Sequence, residues 1–178
     1  MRSFIALPLP EEFASDLARF AARLKLSRPQ PEENLHITLA FLDEQPNSAL
    51  EDVHEELEAT RFASVSAQFA SLEPLGGKTP SVLGLRVDGV DALQKQVLSA
   101  VRKAGITLPH RRFRGHITLA RLPSAPTQDD MKSLGHVLAT HGSVRFDPLM
   151  LGTMSLYRSE LHPDGARYER LADYPLSG

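Results

Sequence analysis

The five-residue stretch HITLA spans His36–Ala40 and recurs unchanged at His116–Ala120. One copy lies in each half of the 178-residue chain. The pentapeptide is not low-complexity sequence, and five identical residues are too many for coincidence. The repeat therefore predicts an internal duplication, in which two related units each carry one copy.

Each copy places a histidine and a threonine two residues apart. Successive side chains of a β-strand point to opposite faces, so His36 and Thr38 share one face, as do His116 and Thr118. The alternating residues face the other way and are predicted to be core: Ile37, Leu39, Ile117 and Leu119. Two such strands would bring two proton-transfer groups and two hydroxyl donors to one cleft. This set is sufficient for acid–base chemistry at a phosphate without a metal.

The order of predicted elements is similar in the two halves: strand, helix, motif strand, helix, strand. The turn at Gly76-Gly77 separates them. We therefore expect one domain over residues 1–178 of the α+β class. It would have two antiparallel-sheet lobes, with outer helices, around a central cleft. A doubly wound parallel sheet is the alternative, but no glycine-rich strand-to-helix turn of the dinucleotide type supports it.

Composition excludes several classes of site and protein. The chain has no cysteine, which rules out disulfides, thiolate nucleophiles and cysteine-bound zinc. The net charge of −2 does not indicate a general nucleic-acid coat protein. The apolar stretch Phe4–Leu9 is too short for a signal peptide, and no run approaches the roughly 20 apolar residues that cross a bilayer. We expect a cytoplasmic monomer that does not contact a membrane.

Paired histidines suit hydrolysis of a phosphodiester. One imidazole can take a proton from attacking water while the other, protonated, supplies a proton to the leaving oxygen. Phosphoryl transfer requires the attacking and leaving groups to lie roughly in line, and a pseudo-twofold axis would place two histidines in that way. Thr38 and Thr118 can donate to the non-bridging oxygens, where negative charge accumulates.

The two copies diverge five residues after each histidine, at Phe41 and Arg121. The arginine can bind a phosphate through two parallel hydrogen bonds, and the phenylalanine ring can stack on a base. Both positions have the opposite strand parity to the histidines. They should therefore face away from the cleft unless a β-bulge or a strand end re-aims them.

A basic segment and five further histidines are the remaining candidates for binding. The basic segment His110–Arg114 either lines the approach to the cleft or is a solvated strand edge. The remaining histidines show no metal-ligand spacing, so no metal is expected; they are His54, His110, His136, His141 and His162.

The motifs His36–Leu39 and His116–Leu119 resemble the paired HxTx motifs of the two-histidine phosphoesterases. The likeness is strongest to the bacterial and archaeal RNA 2′,3′-cyclic phosphodiesterases, historically called 2′-5′ RNA ligases. It extends over the whole length, from the opening strand at Arg2–Ala6 to the tail segments Leu156–Leu161, Tyr168–Leu171 and Tyr174–Leu176. The sequence departs from the family at Gly115, where a proline is common, and upstream of the first motif, where it lacks the frequent aromatic residue.

This resemblance implies a bilobal, duplicated α+β fold with both histidines in a central cleft and with neither metal nor cofactor. It implies that His36 is the proton donor to the leaving 3′ oxygen and that His116 is the base that activates water. The product would be a 2′-phosphomonoester. Thr38 and Thr118 correspond to the motif hydroxyls, and Arg121 and Phe41 to substrate-binding positions.

The expected partners are RNA ends that carry a 2′,3′-cyclic phosphate, tRNA fragments among them, or small cyclic nucleotides. One alternative is 2′-5′ ligation of ends like those of tRNA halves. Another is hydrolysis of a small nucleotide such as ADP-ribose 1″,2″-cyclic phosphate. A third is a non-catalytic RNA-end binding module. Binding alone would tolerate replacement of a histidine by asparagine, whereas catalysis would not.

Overall fold

The computed structural model describes residues 1–177, in which four α-helices and nine β-strands occur. The strands are β1 (Arg2–Pro8), β2 (Arg28–Pro29), β3 (His36–Glu44), β4 (Val65–Leu75), β5 (Val82–Asp88), β6 (His116–Arg121), β7 (Arg145–Leu151), β8 (Thr153–His162) and β9 (Gly165–Pro175). The helices are α1 (Glu11–Arg23), α2 (Asn47–Ala59), α3 (Asp91–Lys103) and α4 (Gln128–His141). The predicted α+β class is confirmed.

Local sequence signals account for most of these elements. Thr127 caps the start of α4: its hydroxyl accepts from the Asp130 amide at 3.1 Å, and the Asp130 carboxylate accepts from the Thr127 amide at 2.8 Å. This reciprocal pair satisfies two donors that a helix start otherwise leaves open. The segment before the first motif contains the two-residue strand β2 and a 3₁₀ turn over Glu32–Asn34, and the second motif strand begins at His116.

The strands form one continuous antiparallel sheet in the order β7-β4-β5-β6-β3-β1-β8-β9, with β2 added to β6. We call β3, β1, β8 and β9 the first lobe, and β6, β5, β4 and β7 the second lobe. The lobes join where β3 pairs with β6, and the register there sets Ile37 opposite Ile117. The two copies of the motif are therefore neighbours at the centre of the sheet.

The lobes do not coincide with the two halves of the sequence. Strand β4 follows α2 but pairs within the second lobe, while β8 returns from the second half to pair with β1 in the first. Helix α1 likewise crosses over, because the Phe13 ring lies 4.7 Å from that of Phe69 on β4. The exchange of elements leaves one hydrophobic core shared by both lobes.

Both motif strands carry the same irregularity. Each carries a β-bulge: Leu39 of β3 is an extra residue relative to β1, and Leu119 of β6 is an extra residue relative to β5. The register pairs that show this are Ile5–Ala40 and Ala6–Thr38 in the first lobe, and Leu83–Ala120 and Gly84–Thr118 in the second. A bulge of this kind shifts the side chains that follow it to the other face of the strand. The pseudo-symmetry thus includes the bulge as well as the sequence.

The face of the motif strands opposite the histidines is buried, as predicted. Ile37, Ile117 and Leu119 are 0% exposed and Leu39 is 2% exposed. This apolar contact holds the two strands in one register, because a slip by one residue would bury the histidines instead.

We expect Ile117→Ala to lower the free energy of unfolding by about 3 kcal/mol, since it removes a fully buried side chain and leaves a cavity. Urea denaturation followed by circular dichroism would measure the change. Met131→Ala is the control, because Met131 is 64% exposed on α4 and should change the stability by less than about 0.5 kcal/mol. A loss below about 1 kcal/mol for Ile117→Ala would show that this contact does not support the sheet.

Candidate active site

A cleft lies over the junction of the two lobes, on the sheet face opposite Ile37 and Ile117. The structure brings all six residues predicted from the sequence to its lining: His36, Thr38, Phe41, His116, Thr118 and Arg121. The register around Ile37 and Ile117 runs antiparallel, so His36 lies toward Thr118 and Thr38 toward His116. Each histidine therefore faces the threonine of the other copy as well as its own.

The bulges explain why Phe41 and Arg121 also line the cleft. Strict alternation would turn both side chains away from the histidines. The extra residues, Leu39 and Leu119, reverse the parity, and the burial pattern along the first six residues of each strand is the same. Phe41 is 57% exposed, although it is a large apolar side chain. The sequence could not reveal this reversal, because bulges leave no signature in the motif itself.

The backbone orients both imidazole rings in the same way. Nδ1 of His36 lies 2.8 Å from the carbonyl oxygen of Asn34, and Nδ1 of His116 lies 2.7 Å from that of Arg114. In each case the carbonyl belongs to the residue two positions earlier. A neutral ring that donates from Nδ1 has an unprotonated Nε2. Nε2 of His36 lies 2.9 Å from Thr38 Oγ1, so in this form the threonine hydroxyl donates to it.

Aromatic side chains surround His36. The Phe4 ring stacks on it at 5.0 Å, and Tyr168 meets it edge-on at 5.3 Å. Tyr157 stacks on Phe4 at 5.0 Å, and its ring centre lies 6.1 Å from that of His36. Sequence reasoning assigned no role to these three residues, because they converge only through the pairing of β1 with β8 and of β8 with β9.

This surrounding lowers the pKa of His36 from 6.5 to about 4. Burial of the ring is the largest cause, because the charged imidazolium loses solvation among the aromatic rings. The bond to the Asn34 carbonyl raises the pKa and offsets part of this effect, while the charge of His116 lowers the pKa further. The residue still lines the cleft, while the Phe4 ring stacks on the imidazole. His36 is therefore neutral near pH 7 in the free protein.

The second lobe has no equivalent aromatic shell. In the first lobe Phe4 lies opposite Phe41, and at the corresponding position of the second lobe Val82 lies opposite Arg121. Valine therefore stands where the first lobe has the phenylalanine ring that stacks on His36. Gly84, opposite Thr118, leaves the space that the His116 ring fills: a Cβ there would lie 3.2 Å from His116 Cδ2. The repeated motif thus supplies two histidines with different surroundings.

The basic segment His110–Arg114 does not line the cleft. The Arg114 guanidinium pairs with Glu73 at 3.3 Å, and the Arg114 carbonyl holds His116. The segment therefore contributes to the site through the backbone carbonyl of Arg114. Within residues 1–177, no three metal-binding side chains gather closely enough to hold an ion, and no helix has the length and apolar character to span a membrane.

The sequence matches the model of a protein family described as the 2′-5′ RNA ligase superfamily, over residues 9–149. A protein of Geobacillus stearothermophilus named RNA 2′,3′-cyclic phosphodiesterase is 30% identical over 98% of this chain. The chain spans 57% of the length of that relative. A protein of the same name from Thermus thermophilus is 29% identical, over 100% of this chain and 91% of its own.

A solved structure has the same fold. Escherichia coli LigT complexed with 3′-AMP superposes with a TM-score of 0.78 at 21% identity, over 99% of this chain and 98% of LigT. At that identity the likeness concerns the fold alone. It covers both lobes, including the strands that the lobes exchange.

The low pKa of His36 predicts an acid-sensitive fold. The unfolded chain binds the proton near pH 6.5 and the folded chain near pH 4, so protonation favours unfolding. The stabilisation is complete above pH 6.5 and is lost as the pH falls through 4; it amounts to about 3 kcal/mol. Urea denaturation at a series of pH values would show this loss, and His36→Gln should flatten the slope. A ring titration of His36 by NMR with a midpoint near 6.5 would contradict the assignment.

We expect Gly84→Ala to impair the site without unfolding the protein. The added methyl group presses on the His116 ring and on Leu75, both at 3.2 Å, and so turns His116 away from its Arg114 carbonyl. NMR would report a changed His116 ring environment. Gly135→Ala in α4 is the matched control, because nothing lies within 4 Å of the added carbon. An unchanged His116 signal in Gly84→Ala would show that this contact does not position the ring.

Proposed function

The chain belongs to the 2′-5′ RNA ligase superfamily, and from that premise we propose that it is an RNA 2′,3′-cyclic phosphodiesterase. It would hydrolyse a terminal 2′,3′-cyclic phosphate to a 2′-phosphomonoester, with two histidines as acid and base and without a metal. The relatives named for this activity, at 23–30% identity, support the general reaction. The mechanism is proposed from the site itself.

One observation carries the proposal: two imidazoles, each held at Nδ1 by a backbone carbonyl, face one cleft from opposite sides of a pseudo-twofold axis. Fixing Nδ1 leaves Nε2 of each ring for proton transfer. Across a pseudo-twofold axis, one ring can serve the attacking water and the other the leaving oxygen.

In the proposed step, water attacks phosphorus opposite the 3′ oxygen as His116 takes its proton. The bond from phosphorus to the 3′ oxygen breaks, and His36 gives its proton to that oxygen. The ribose keeps the phosphate on its 2′ oxygen. Thr38 and Thr118 donate to the non-bridging oxygens, and Arg121 offsets their negative charge. The base stacks on the exposed ring of Phe41.

Because the pKa of His36 is low, His36 can act as the acid only if substrate binding raises that pKa. In the free protein the ring is neutral near pH 7, because its pKa is about 4. A phosphodiester anion beside the ring favours the imidazolium. The aromatic rings that exclude water from His36 also strengthen the attraction between the imidazolium and the phosphate, because charges interact more strongly where the dielectric constant is low. We therefore assign His36 a proton that it takes up together with the substrate.

The edge of the cleft supports an RNA substrate rather than a small nucleotide. Arg28 of β2 lies directly opposite Arg121 of β6. Like charges opposite each other destabilise a sheet, and neither arginine forms an ion pair with an acid in residues 1–177. A polyanion that passes this edge would relieve the repulsion. A short RNA has such a backbone, whereas a mononucleotide has none beyond its own phosphate.

The proposal predicts turnover of a short RNA ending in a 2′,3′-cyclic phosphate with EDTA present. The product should be the 2′-phosphate alone, identified by chromatography against both monophosphates. His36→Asn and His116→Asn should each lower kcat by about 100-fold or more, because asparagine keeps a hydrogen-bond donor but transfers no proton. His136→Asn on α4, outside the cleft lining, is the control and should retain full turnover.

A substrate with a p-nitrophenyl leaving group separates acid from base. Since p-nitrophenolate leaves without a proton, His36→Asn should be impaired far less on such a phosphodiester than His116→Asn. The opposite pattern would exchange the two roles. Tight RNA binding with no turnover would favour the end-binding module, and joining of RNA ends without hydrolysis would favour the ligase.

A further inference from the structure

Asn34 contacts two parts of the first lobe through two different polar groups. Its backbone carbonyl oxygen lies 2.8 Å from Nδ1 of His36 and accepts a hydrogen bond from it. Its side-chain Nδ2 donates to the backbone carbonyl of Ala166 at 2.9 Å. Since a carbonyl oxygen can only accept, the nitrogen of the Asn34 amide must face Ala166. One residue therefore joins His36 to the hairpin formed by β8 and β9.

The bond to Ala166 connects segments that are far apart in the sequence. The two residues are 132 positions apart, and β9 is an edge strand that pairs with β8 alone. Ala166 is the second residue of β9. Two residues further along the same strand, Tyr168 meets the His36 ring edge-on at 5.3 Å. The Asn34 side chain thus holds the part of β9 that covers His36.

Asn34 is buried although its side chain is polar. It is 6% exposed and ends the 3₁₀ turn Glu32–Asn34, where its amide donates to the Pro31 carbonyl. A buried polar group loses its hydration, and a hydrogen bond within the protein compensates for that loss. Rotation of the Asn34 backbone would break the bond to Ala166. The carbonyl that holds His36 is therefore kept in one orientation.

The second lobe has a more exposed version of this connection. Arg114 also lies two residues before a histidine, and its carbonyl holds Nδ1 of His116. Its side chain pairs with Glu73 of β4, but the Arg114 side chain is 55% exposed. An exposed ion pair contributes little, because water screens the charges. The buried amide of Asn34 therefore distinguishes the His36 side of the cleft from the other side.

We propose that Asn34 is a positioning residue for the proton donor, acting on His36 through its carbonyl and on β9 through its amide. The inference rests on the proposed function, in which His36 gives a proton to the leaving oxygen. A proton donor must lie within hydrogen-bond reach of that oxygen, and a displacement of about 1 Å is enough to lower the rate by about 100-fold. The Asn34 carbonyl also keeps one ring proton on Nδ1, so the proton that is transferred resides on Nε2.

The kinetic test compares two substrates for Asn34→Ala. On a nucleoside 2′,3′-cyclic phosphate, whose leaving oxygen needs a proton, kcat should fall by about tenfold or more with KM nearly unchanged. On a phosphodiester with a p-nitrophenyl leaving group, which needs no proton, kcat should fall by about twofold or less.

Two further variants separate positioning from damage to the fold. Asn34→Leu removes the same donor but fills nearly the same space, so it should show the same dependence on the leaving group without a cavity. Asn47→Ala is the matched control, because Asn47 is exposed at the start of α2 and lies outside the cleft lining. It should leave kcat unchanged on both substrates. Circular dichroism would verify that each variant is folded.

NMR of the ring nitrogens gives a measurement that does not depend on turnover. In the wild-type protein the neutral His36 ring should carry its proton on Nδ1, facing the Asn34 carbonyl. In Asn34→Ala the ring should shift toward the form protonated on Nε2, which can donate to Thr38 Oγ1, 2.9 Å away. His116 is the internal control, because its own carbonyl partner at Arg114 is unaltered.

The outcomes distinguish this inference from the proposed reaction. Equal losses on both substrates, or unchanged kcat on both, would overturn the positioning role of Asn34 while the reaction stands. A shifted His36 proton in Asn34→Ala, together with a wild-type protein that turns over neither substrate, would overturn the reaction and sustain the orientation of the ring by Asn34. An unshifted proton without wild-type turnover would overturn both.

Discussion

The pairing of Ile37 with Ile117 is the constraint on which the site depends. These two buried residues hold β3 and β6 in one antiparallel register. Because side chains alternate along a strand, burial of the isoleucines on one face directs His36 and His116 to the other. The apolar contact and the polar cleft are thus two consequences of one register. A slip by one residue would remove both together.

The sequence predicted this arrangement because its signal is local and repeated. A histidine and a threonine two residues apart, alternating with Ile and Leu, indicate a half-buried strand without knowledge of the rest of the chain. The cap of α4 at Thr127 is a local signal of the same kind. The exchange of β4 and β8 between the lobes was not predictable, since strand pairing depends on competition among partners distant in the sequence. The bulges at Leu39 and Leu119 escaped prediction for a related reason: a bulge is defined by the neighbouring strand.

The difference between the two histidines comes from residues outside the repeat. The motifs are identical, so the sequence indicates two equivalent imidazoles. The neighbouring strands break the equivalence, because β1 places Phe4 against His36 whereas β5 has Val82 at the corresponding register position. Tyr168 of β9 then closes around His36. A duplicated chain can therefore acquire an asymmetric site through changes in its supporting strands while both copies of the motif stay intact.

This asymmetry also affects what the cleft can bind. A group with a pKa of about 4 is protonated at pH 7 only if its surroundings supply about 4 kcal/mol. A neutral ligand cannot do so, whereas a phosphate anion close to the covered ring can. Proton uptake and anion binding at His36 are then linked, and each strengthens the other. Under the proposed mechanism, the aromatic rings that disfavour a charged His36 in the free protein therefore make the acid available only when a phosphate is bound.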